Sequence, residues 1–263
     1  MKLSIIIPCY NEEQTIKPLL KSIFDIDFPI EREIIVVDDG SKRNHEEIIR
    51  EEIRSKKIKF IRLPKNQGKG VAIRIGLRNA EGDLFIIQDA DFEYFPSDIP
   101  KLLAPVLNNS AKVVYGTRFK INPELMAKSH YMANKFLTRL TNFIYKTNLT
   151  DMETGYKLFT KDVLNKITLN TREFEFEPEI TAKIVLSGFN IVEVPIKYQY
   201  RKFGAAKINW LDGLEGLLIL IQLRFFPSSK LYQFIYNLYK FHAKKIIHKL
   251  TNFTSSVIHM RRI

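Results

Sequence analysis

The chain has 263 residues, of which 45% are hydrophobic and 27% are charged, values typical of a globular protein with a substantial buried core. Its single cysteine, Cys9, excludes an internal disulfide bond and the usual zinc-binding spacings. No apolar stretch approaches the ~20 residues that span a bilayer, and the first apolar run is too short for a signal peptide. The sequence therefore predicts a cytoplasmic protein.

The net charge of +12 is concentrated near the C-terminal end of the sequence. Residues 1–215 carry a net charge of +4, whereas residues 216–263 carry +8 and no acidic side chain. A nearly neutral body with a basic tail differs from a uniformly basic protein. The charge therefore indicates a separate role for the tail.

Strand and helix patterns alternate along the first half of the sequence. Short apolar runs predict strands at 3–7, 33–37, 58–63 and 84–88. Helical spacing of apolar residues predicts helices at 12–24, 48–53 and 70–79. Such alternation is typical of an α/β protein with a mostly parallel sheet, whose ligands bind beyond the carboxyl ends of the strands.

Polar clusters follow four successive predicted strands. They are Asn11-Glu12, Asp38-Asp39, Asn66 to Gly70, and Asp89-Ala90-Asp91. Because the carboxyl ends of parallel strands meet at one edge of a sheet, we expect the four clusters to form a single ligand site.

Asp89 and Asp91 are the most informative pair, because they directly follow the apolar run at 84–87. On extended backbone, two residues at this spacing project to the same side. A cation between them relieves their repulsion, and Mg²⁺ combines one or two carboxylates with phosphate oxygens. The pair predicts a divalent cation and a phosphorylated ligand, whereas the pair taken alone also suits a solvated acidic loop.

The other clusters suit a nucleotide. Asp38 and Asp39 can accept hydrogen bonds from a base or from ribose hydroxyls, although a helix N-cap accounts for part of this segment. The turn around Gly68 and Lys69 can bring backbone N–H groups and an ammonium group near a nucleotide at a helix start. It lacks the spacing of a P-loop, and a simple turn is the alternative.

Taken in order, these residues resemble the inverting glycosyltransferases of family 2, which have the GT-A fold. The matching segments are PCYNE at 8–12, DDGS at 38–41, NQGKG at 66–70 and DAD at 89–91. Further segments are similar to the polyprenyl-phosphate sugar synthases, such as the dolichyl-phosphate mannose and glucose synthases. These are GTRF at 116–119, Asp151 with TGYK at 154–157, FEPE at 176–179, EVPI at 193–196 and RKFGAAK at 201–207.

The resemblance implies a role for each matching residue. Residues implied in substrate binding are Pro8, Tyr10, Asn11, Glu12, Asp38, Asp39, Gly68, Lys69, Asp89, Ala90 and Glu179. Asp89 and Asp91 would hold the diphosphate through Mg²⁺ or Mn²⁺, with Glu93 as a third ligand. The implied catalytic set is Asp91, Arg118, Asp151, Arg201 and Lys207.

The implied acceptor decides which chemistry the site must supply. A polyprenyl phosphate is already ionised at neutral pH, so its reaction needs charge screening more than a general base. Arg118, Arg201 and Lys207 would provide that screening. Asp151, Glu177 and Glu179 would orient the sugar or the cations, and structural ion pairing is the alternative, particularly for Glu177.

The pattern after residue 208 predicts an amphipathic helical appendage at 209–263, behind a GT-A catalytic domain at 1–208. One helical face carries Leu231, Phe234, Ile235, Leu238 and Phe241. Such a face with nearby basic side chains favours peripheral attachment to the cytoplasmic face of a membrane. Packing on the domain body or on another subunit is the alternative.

We therefore expect inverting transfer of mannose or glucose from GDP-mannose or UDP-glucose to polyprenyl phosphate. A separate membrane protein could anchor the enzyme. One alternative is transfer to a hydroxyl of a glycan or cell-wall precursor, with Asp151 as the base. A nucleic-acid-binding protein and a sugar-nucleotide-binding scaffold are further alternatives, but no RNA-binding motif appears, so we expect no nucleic-acid partner.

Overall fold

The computed structural model describes residues 1–55, 57–119, 128–173, 175–199 and 210–227. The strands in these ranges are β1 Lys2–Cys9, β2 Glu31–Asp38, β3 Lys59–Arg62, β4 Leu84–Ile87, β5 Val113–Thr117, β6 Lys157–Thr160 and β7 Ile191–Pro195. The helices are α1 Ile16–Phe24, α2 His45–Ile48, α3 Arg50–Arg54, α4 Lys69–Arg78, α5 Ile99–Leu107, α6 Lys128–Tyr145, α7 Lys161–Lys166, α8 Phe176–Leu186 and α9 Trp210–Phe225.

The described strands form one mixed sheet in the order β3-β2-β1-β4-β6-β5-β7. Strand β1 runs parallel to β2 and β4, and β2 runs parallel to β3. Strand β6 is antiparallel to both of its neighbours, whereas β5 and β7 are parallel. The predicted mostly parallel α/β sheet is confirmed, and β6 is its exception.

Helices cover both faces of the sheet. Along β1, Ile5 and Ile7 point into the core shared with α1 and α5, whereas Ile6 points into the core shared with α4 and α8. This two-residue alternation with apolar side chains on both faces is what a central parallel strand requires. Helix α4 lies close to β1, since a Cβ on Gly76 would come within 2.4 Å of the Ile6 side chain.

The predicted helix at 48–53 is divided in the structure. Ile49, with φ −113° and ψ 27°, separates α2 from α3, because these angles interrupt the helical hydrogen bonding. The predicted helix at 12–24 begins later than expected, at Ile16, after a turn in which the Glu12 carbonyl accepts from Thr15 and Ile16.

Helix α9, the first part of the predicted appendage, packs against α6 and α8. Leu220 is fully buried there, and the Tyr145 hydroxyl donates to its carbonyl over 2.7 Å. Packing on the domain body is therefore what residues 210–227 show. The amphipathic stretch at 231–241 lies outside the described residues, and the boundary at 208 stays a prediction.

None of the helices within the described ranges combines the length and the hydropathy that crossing a bilayer requires.

Candidate active site

The candidate active site lies where β1, β2 and β4 end side by side. Their ends lead into Asn11, Asp39 and Asp89, so three of the predicted polar clusters meet at one edge of the sheet. Asn11, at φ 53°, joins the first two clusters. Its N–H donates to Ser41 Oγ over 2.9 Å, and its Oδ1 accepts from the Lys42 N–H over 2.9 Å.

Asp39 binds the remaining predicted cluster, the glycine-rich turn at 66–70. Its buried carboxylate accepts the backbone N–H groups of Gln67 and Gly68, both over 2.8 Å, and the Asn66 amide over 3.1 Å. Burial raises the pKa of Asp39, and the two backbone hydrogen bonds oppose that rise. Gly68 has φ 103°, and a Cβ there would lie 2.2 Å from the Arg172 carbonyl, so the turn requires glycine.

Asp38 is buried beneath the site and serves the structure. Its carboxylate accepts the Ser41 N–H over 3.0 Å, and it lies 3.5 Å from His45 Nδ1. Burial alone would raise the pKa of Asp38, but the nearby His45 ring and hydrogen bonding from Ser41 outweigh it and lower that pKa. The Glu12 N–H donates to His45 Nε2 over 3.2 Å, which places the ring proton on Nδ1, facing Asp38.

A strip of four alternating charges crosses the floor of the site. Lys69 Nζ lies 2.8 and 3.2 Å from the two oxygens of Asp89 and 3.0 Å from Glu177 Oε1. The other oxygen of Glu177 accepts from Lys157 Nζ over 2.5 Å. We call Asp89, Lys69, Glu177 and Lys157 the charge strip.

Opposite charges in the strip favour the ionised forms of Lys69 and Glu177, whereas burial has the larger effect on Asp89. Burial lowers the pKa of Lys69, but the charges of Asp89 and Glu177 raise it well above its ordinary value. Burial would raise the pKa of Glu177, yet Lys157 and Lys69 lower it overall. For Asp89, burial dominates and raises the pKa, with Lys69 opposing and Asp91 adding to the rise.

Asp91 and Glu93 lie in a tight turn beyond β4. Phe92 between them has φ 63°, and Asp91 Oδ1 accepts the Glu93 N–H over 3.1 Å. The Glu93 carboxylate accepts from the Tyr198 hydroxyl over 3.0 Å. Glu93, the predicted third metal ligand, is thus hydrogen-bonded to Tyr198 in the segment that follows β7.

The residues at the end of β4 fit a divalent cation completed by phosphate oxygens. Among the described residues, no group of three or more His, Cys, Asp or Glu side chains is placed to hold a metal ion. Asp89 and Asp91 provide the one or two carboxylates that Mg²⁺ uses with phosphates. A Cβ on Gly155 would lie 2.3 Å from Asp89 Oδ2, so glycine keeps the space beside this carboxylate open.

Arg118 and Asp151 form a buried bidentate ion pair. The guanidinium Nε and Nη2 donate to the two Asp151 oxygens, each over 2.7 Å, and the Arg118 N–H donates over 3.0 Å. Asp151 raises the pKa of Arg118 well above its ordinary value against the opposing effect of burial. Glu193 accepts the N–H groups of Thr150 and Asp151 over 2.9 Å and so fixes this loop.

Glu179 lies behind the site. Its buried carboxylate accepts the N–H groups of Asn170 and Thr171, the Thr171 hydroxyl over 2.6 Å, and Lys183 Nζ over 2.6 Å. The 171–172 carbonyls that it positions face Gly68 and Gly70. Structural pairing, the alternative for this carboxylate, is therefore what the described contacts show.

The remaining predicted residues divide into two groups. Pro8 and Tyr10 are half-buried at the end of β1, and Ala90 is buried between the two aspartates. Arg201 and Lys207 lie outside the described residues, so their predicted contacts with phosphates stay predictions.

Several residues of the site were missed by sequence reasoning. Lys157 and Glu193 belong to recognised segments, but only their partners in space reveal their roles. His45 gave no signal in the sequence. Glu153 lies beside Asp151, has a buried Oε1 with no hydrogen-bond partner, and has a pKa that burial raises to about 7.

Comparison with known proteins identifies the family. The sequence matches the description "Glycosyl transferase family 2" over residues 4–168, which include β1 to β6 and the ends of β1, β2 and β4. The chain belongs to glycosyl transferase family 2. The predicted family is therefore confirmed.

Three curated relatives of this family 2 chain each have a polyprenyl-type phosphate in their name. A UDP-N-acetylglucosamine–dolichyl-phosphate N-acetylglucosaminyltransferase of Methanococcus voltae is 33% identical over 245 residues, covering 84% of this chain and 95% of the relative. A dolichol-phosphate mannosyltransferase of Pyrococcus furiosus is 30% identical over 232 residues, covering 85% and 64%. A dodecaprenyl-phosphate galacturonate synthase of Rhizobium johnstonii is 25% identical over 238 residues, covering 88% and 68%.

Solved structures confirm the fold. Glucosyl-3-phosphoglycerate synthase of Mycobacterium tuberculosis, in complex with Mn²⁺, UDP and glucosyl-3-phosphoglycerate, has a TM-score of 0.64 at 17% identity and covers 87% of this chain and 81% of its own. The same enzyme with Mn²⁺ and UDP-glucose has a TM-score of 0.65 at 18% identity, with 87% and 80% covered. The family 2 chain thus has the predicted GT-A fold.

The ion pair of Arg118 and Asp151 generates a stability prediction. We expect Asp151→Ala to lower the free energy of unfolding by about 3–5 kcal/mol, because it leaves a buried guanidinium without its counter-ion. Urea unfolding followed by circular dichroism measures the loss. Asp162→Ala, which removes the partner of Lys112 from an exposed 2.8 Å pair, is the control and should change little. Equal losses in both variants would refute the buried pairing.

Glu153 generates a prediction about pH. Its pKa of about 7 in the folded protein exceeds the ordinary value of 4.5, so the folded state binds more protons between these values. The Glu153 contribution therefore makes stability fall as pH rises from about 4.5 to 7. We expect Glu153→Gln to remove that contribution and to raise stability above pH 7, by about 1–3 kcal/mol.

Urea unfolding at half-unit pH steps, with the exposed Glu47→Gln as control, measures the Glu153 contribution. An unchanged difference between Glu153→Gln and the unmodified protein across this pH range would contradict the raised pKa.

Proposed function

We propose that this family 2 glycosyltransferase transfers a sugar, with inversion, from a nucleoside diphosphate to polyprenyl phosphate at the cytoplasmic face of a membrane. The observation that carries the proposal is the buried pairing of Asp151, the candidate base, with Arg118. That pairing indicates which class of acceptor the site suits, and the residues at the ends of β1, β2 and β4 indicate where the donor would bind.

The state of Asp151 favours an ionised acceptor. A hydroxyl acceptor would need a base in reach of its proton, whereas both Asp151 oxygens accept hydrogen bonds from Arg118 and the side chain is fully buried. A phosphate monoester already carries the negative charge of the nucleophile. Relatives named for dolichyl, dolichol and dodecaprenyl phosphates support the same acceptor class.

The positive groups around the site suit two phosphorylated substrates. Lys69 Nζ, held at the end of β4 by Asp89 and Glu177, lies where a donor diphosphate would bind. Arg118, on the far side at the end of β5, would help to screen the acceptor phosphate from the donor. We keep Arg201 and Lys207 as further proposed contacts of the acceptor phosphate.

The nucleoside would lie at the ends of β1 and β2, beside Tyr10 and the turn that Asp39 holds. Asp39 would act through that turn, since its oxygens accept three hydrogen bonds from residues 66–68. The mycobacterial structures that share the fold contain UDP or UDP-glucose, which supports nucleotide binding.

Asp89 and Asp91 would hold Mg²⁺ or Mn²⁺, with Glu93 as the proposed third ligand. When bound, such an ion would stabilise the negative charge that develops on the leaving diphosphate. Structures of the mycobacterial synthase with Mn²⁺ or Mg²⁺ and UDP support this assignment. The protein's own part is to orient the two carboxylates through the turn at Phe92.

The names of the relatives do not agree on which sugar is transferred. The names of the relatives specify N-acetylglucosamine, mannose and galacturonate, so the likeness supports sugar transfer without selecting mannose or glucose. UDP-N-acetylglucosamine therefore joins GDP-mannose and UDP-glucose among the donors that we propose.

An exposed apolar stripe on α6 supports attachment to a membrane. Met132, Phe136 and Phe143 are 69%, 62% and 84% exposed and follow helical spacing along one face. Arg139 lies exposed within that stripe, and the sequence from 125 to 150 contains no acidic residue. Apolar side chains with basic neighbours suit the boundary of an anionic bilayer.

Other side chains of α6 contact the loop that carries Asp151. Lys135 Nζ donates to the Thr150 carbonyl over 3.3 Å, and Thr138 Oγ1 accepts the Met152 N–H over 3.1 Å. The proposed membrane face and these contacts with the site loop therefore belong to the same helix. We propose that the segment at 209–263, with its basic end, and a membrane-anchoring protein add to this attachment.

Glu153 favours a second candidate function. A carboxyl with a pKa near 7 suits a general base, and this one lies beside the site. A family 2 enzyme with Glu153 as its base would transfer sugar to a hydroxyl of a glycan or cell-wall precursor.

A donor screen tests the proposal. The purified full chain is incubated with Mn²⁺, a short polyprenyl phosphate in detergent and each of the three nucleotide sugars. We expect lipid-linked sugar from one donor. Donor hydrolysis without lipid-linked product would refute polyprenyl phosphate as the acceptor and favour transfer to a hydroxyl. If no donor binds, the assignment of the protein as a glycosyltransferase enzyme is refuted.

Asp91→Ala tests the metal assignment. We expect turnover to fall by at least a hundredfold, because the carboxylate that shares the cation with Asp89 is lost. The melting temperature should hardly change, since the Asp91 side chain is half-exposed. Asp27→Ala, which removes an exposed carboxylate after α1, is the control. Retained metal-dependent turnover in Asp91→Ala would contradict the assignment.

The α6 stripe yields a prediction about vesicles. We expect the double change Phe136→Ser and Phe143→Ser to weaken binding to vesicles with 30% anionic lipid by about tenfold or more, because less apolar area enters the bilayer. Co-sedimentation measures the effect. Leu186→Ser, which changes an exposed leucine on a different helix, α8, is the control. Equal binding by all three proteins would refute this membrane face.

A further inference from the structure

Lys69 forms an ion pair with Asp89, the carboxylate that a metal ion would need as a ligand. Its ammonium lies 2.8 Å from Asp89 Oδ1 and 3.2 Å from Oδ2, so it contacts both oxygens. A divalent cation at Asp89 would therefore meet a positive charge that is already in contact with its ligand. Either the cation binds weakly, or Lys69 must move.

Lys69 has a second partner that stays in place when Asp89 is released. Glu177 Oε1 lies 3.0 Å from its ammonium, and Lys157 fixes the other oxygen of Glu177 at 2.5 Å. Lysine is a flexible chain with a compact charge, so its ammonium can turn about Glu177 without loss of that contact. The diphosphate of a donor would offer the new anionic partner.

We propose that Lys69 is a resident counter-ion of Asp89 that makes metal binding depend on the donor diphosphate. Without nucleotide, Lys69 neutralises Asp89 and competes with the metal. With nucleotide, Lys69 moves toward phosphate oxygens, and Asp89 turns to the cation. The inference rests on the proposed donor site, but it concerns the order of binding rather than the transfer reaction.

The physical reason for the coupling is charge balance. The charge strip is neutral by itself, with two lysines facing two carboxylates, so a divalent ion that takes Asp89 as its ligand leaves the Lys69 ammonium without one of its two counter-ions in a largely buried place. A diphosphate brings the compensating negative charge. Metal and nucleotide should therefore strengthen each other's binding, by the same factor in both directions.

Mn²⁺ binding tests the inference without any transfer reaction. Electron paramagnetic resonance counts free Mn²⁺ in titrations of the full chain, with and without UDP or GDP. For the unmodified protein we expect nucleotide to tighten Mn²⁺ binding by about tenfold or more, a factor within the usual range of coupling between sites. Nucleotide-independent Mn²⁺ affinity in the unmodified protein would overturn the proposal.

The decisive variant is Lys69→Met, which keeps the length of the side chain and removes its charge. We expect Mn²⁺ alone to bind about tenfold tighter than in the unmodified protein, because a positive charge a few ångström away has gone. The coupling to nucleotide should shrink accordingly. Lys69→Arg, which keeps a charge, should retain weak binding of Mn²⁺ alone.

Lys65→Met is the matched control, since it removes an exposed lysine from the same connection. It should leave both affinities unchanged. If Lys69→Met binds Mn²⁺ alone no tighter than the unmodified protein does, Lys69 is not a competitor and the inference is wrong. Sugar transfer could fail in the donor screen while this coupling remains, so the two proposals can fail separately.

Discussion

The site depends on the mutual neutralisation of buried charges. Lys69 opens α4, Asp89 follows β4, Glu177 lies in α8 and Lys157 opens β6, so one charge strip joins four elements. Removing one partner of such a pair leaves an uncompensated buried charge, which is strongly destabilising. The elements must therefore come together correctly for the site to form at all.

Carboxylates around the site differ in how deeply they are buried and in the hydrogen bonds that they accept. Asp39, Asp151 and Glu179 accept hydrogen bonds mainly from backbone N–H groups or from a single arginine, and all three are buried. Asp91 is half-exposed at the end of a tight turn. This difference supports the proposal that Asp91, rather than the buried carboxylates, contacts a bound ligand.

Local patterns predicted much of the fold. Strands β1, β2 and β4 are short, largely buried apolar runs, each followed by a polar cluster, so neighbouring residues are enough to predict them. Strand β6 is only four residues long, and its antiparallel direction depends on where β4 and β5 leave a gap between them. Neither the gap nor the direction has a local signal, and the sequence therefore did not predict them.

The sequence by itself determined which chemistry is present at the strand ends, because strand periodicity and the turn residues after each strand are local properties. The tertiary structure alone decided which charges meet. Lys69 and Glu177 are 108 residues apart in the chain, and Arg118 and Asp151 are 33 apart. Ion pairing depends on distance in space and on burial, so only the folded chain distinguishes Asp151, which is fully buried against Arg118, from Asp91, which is half-exposed.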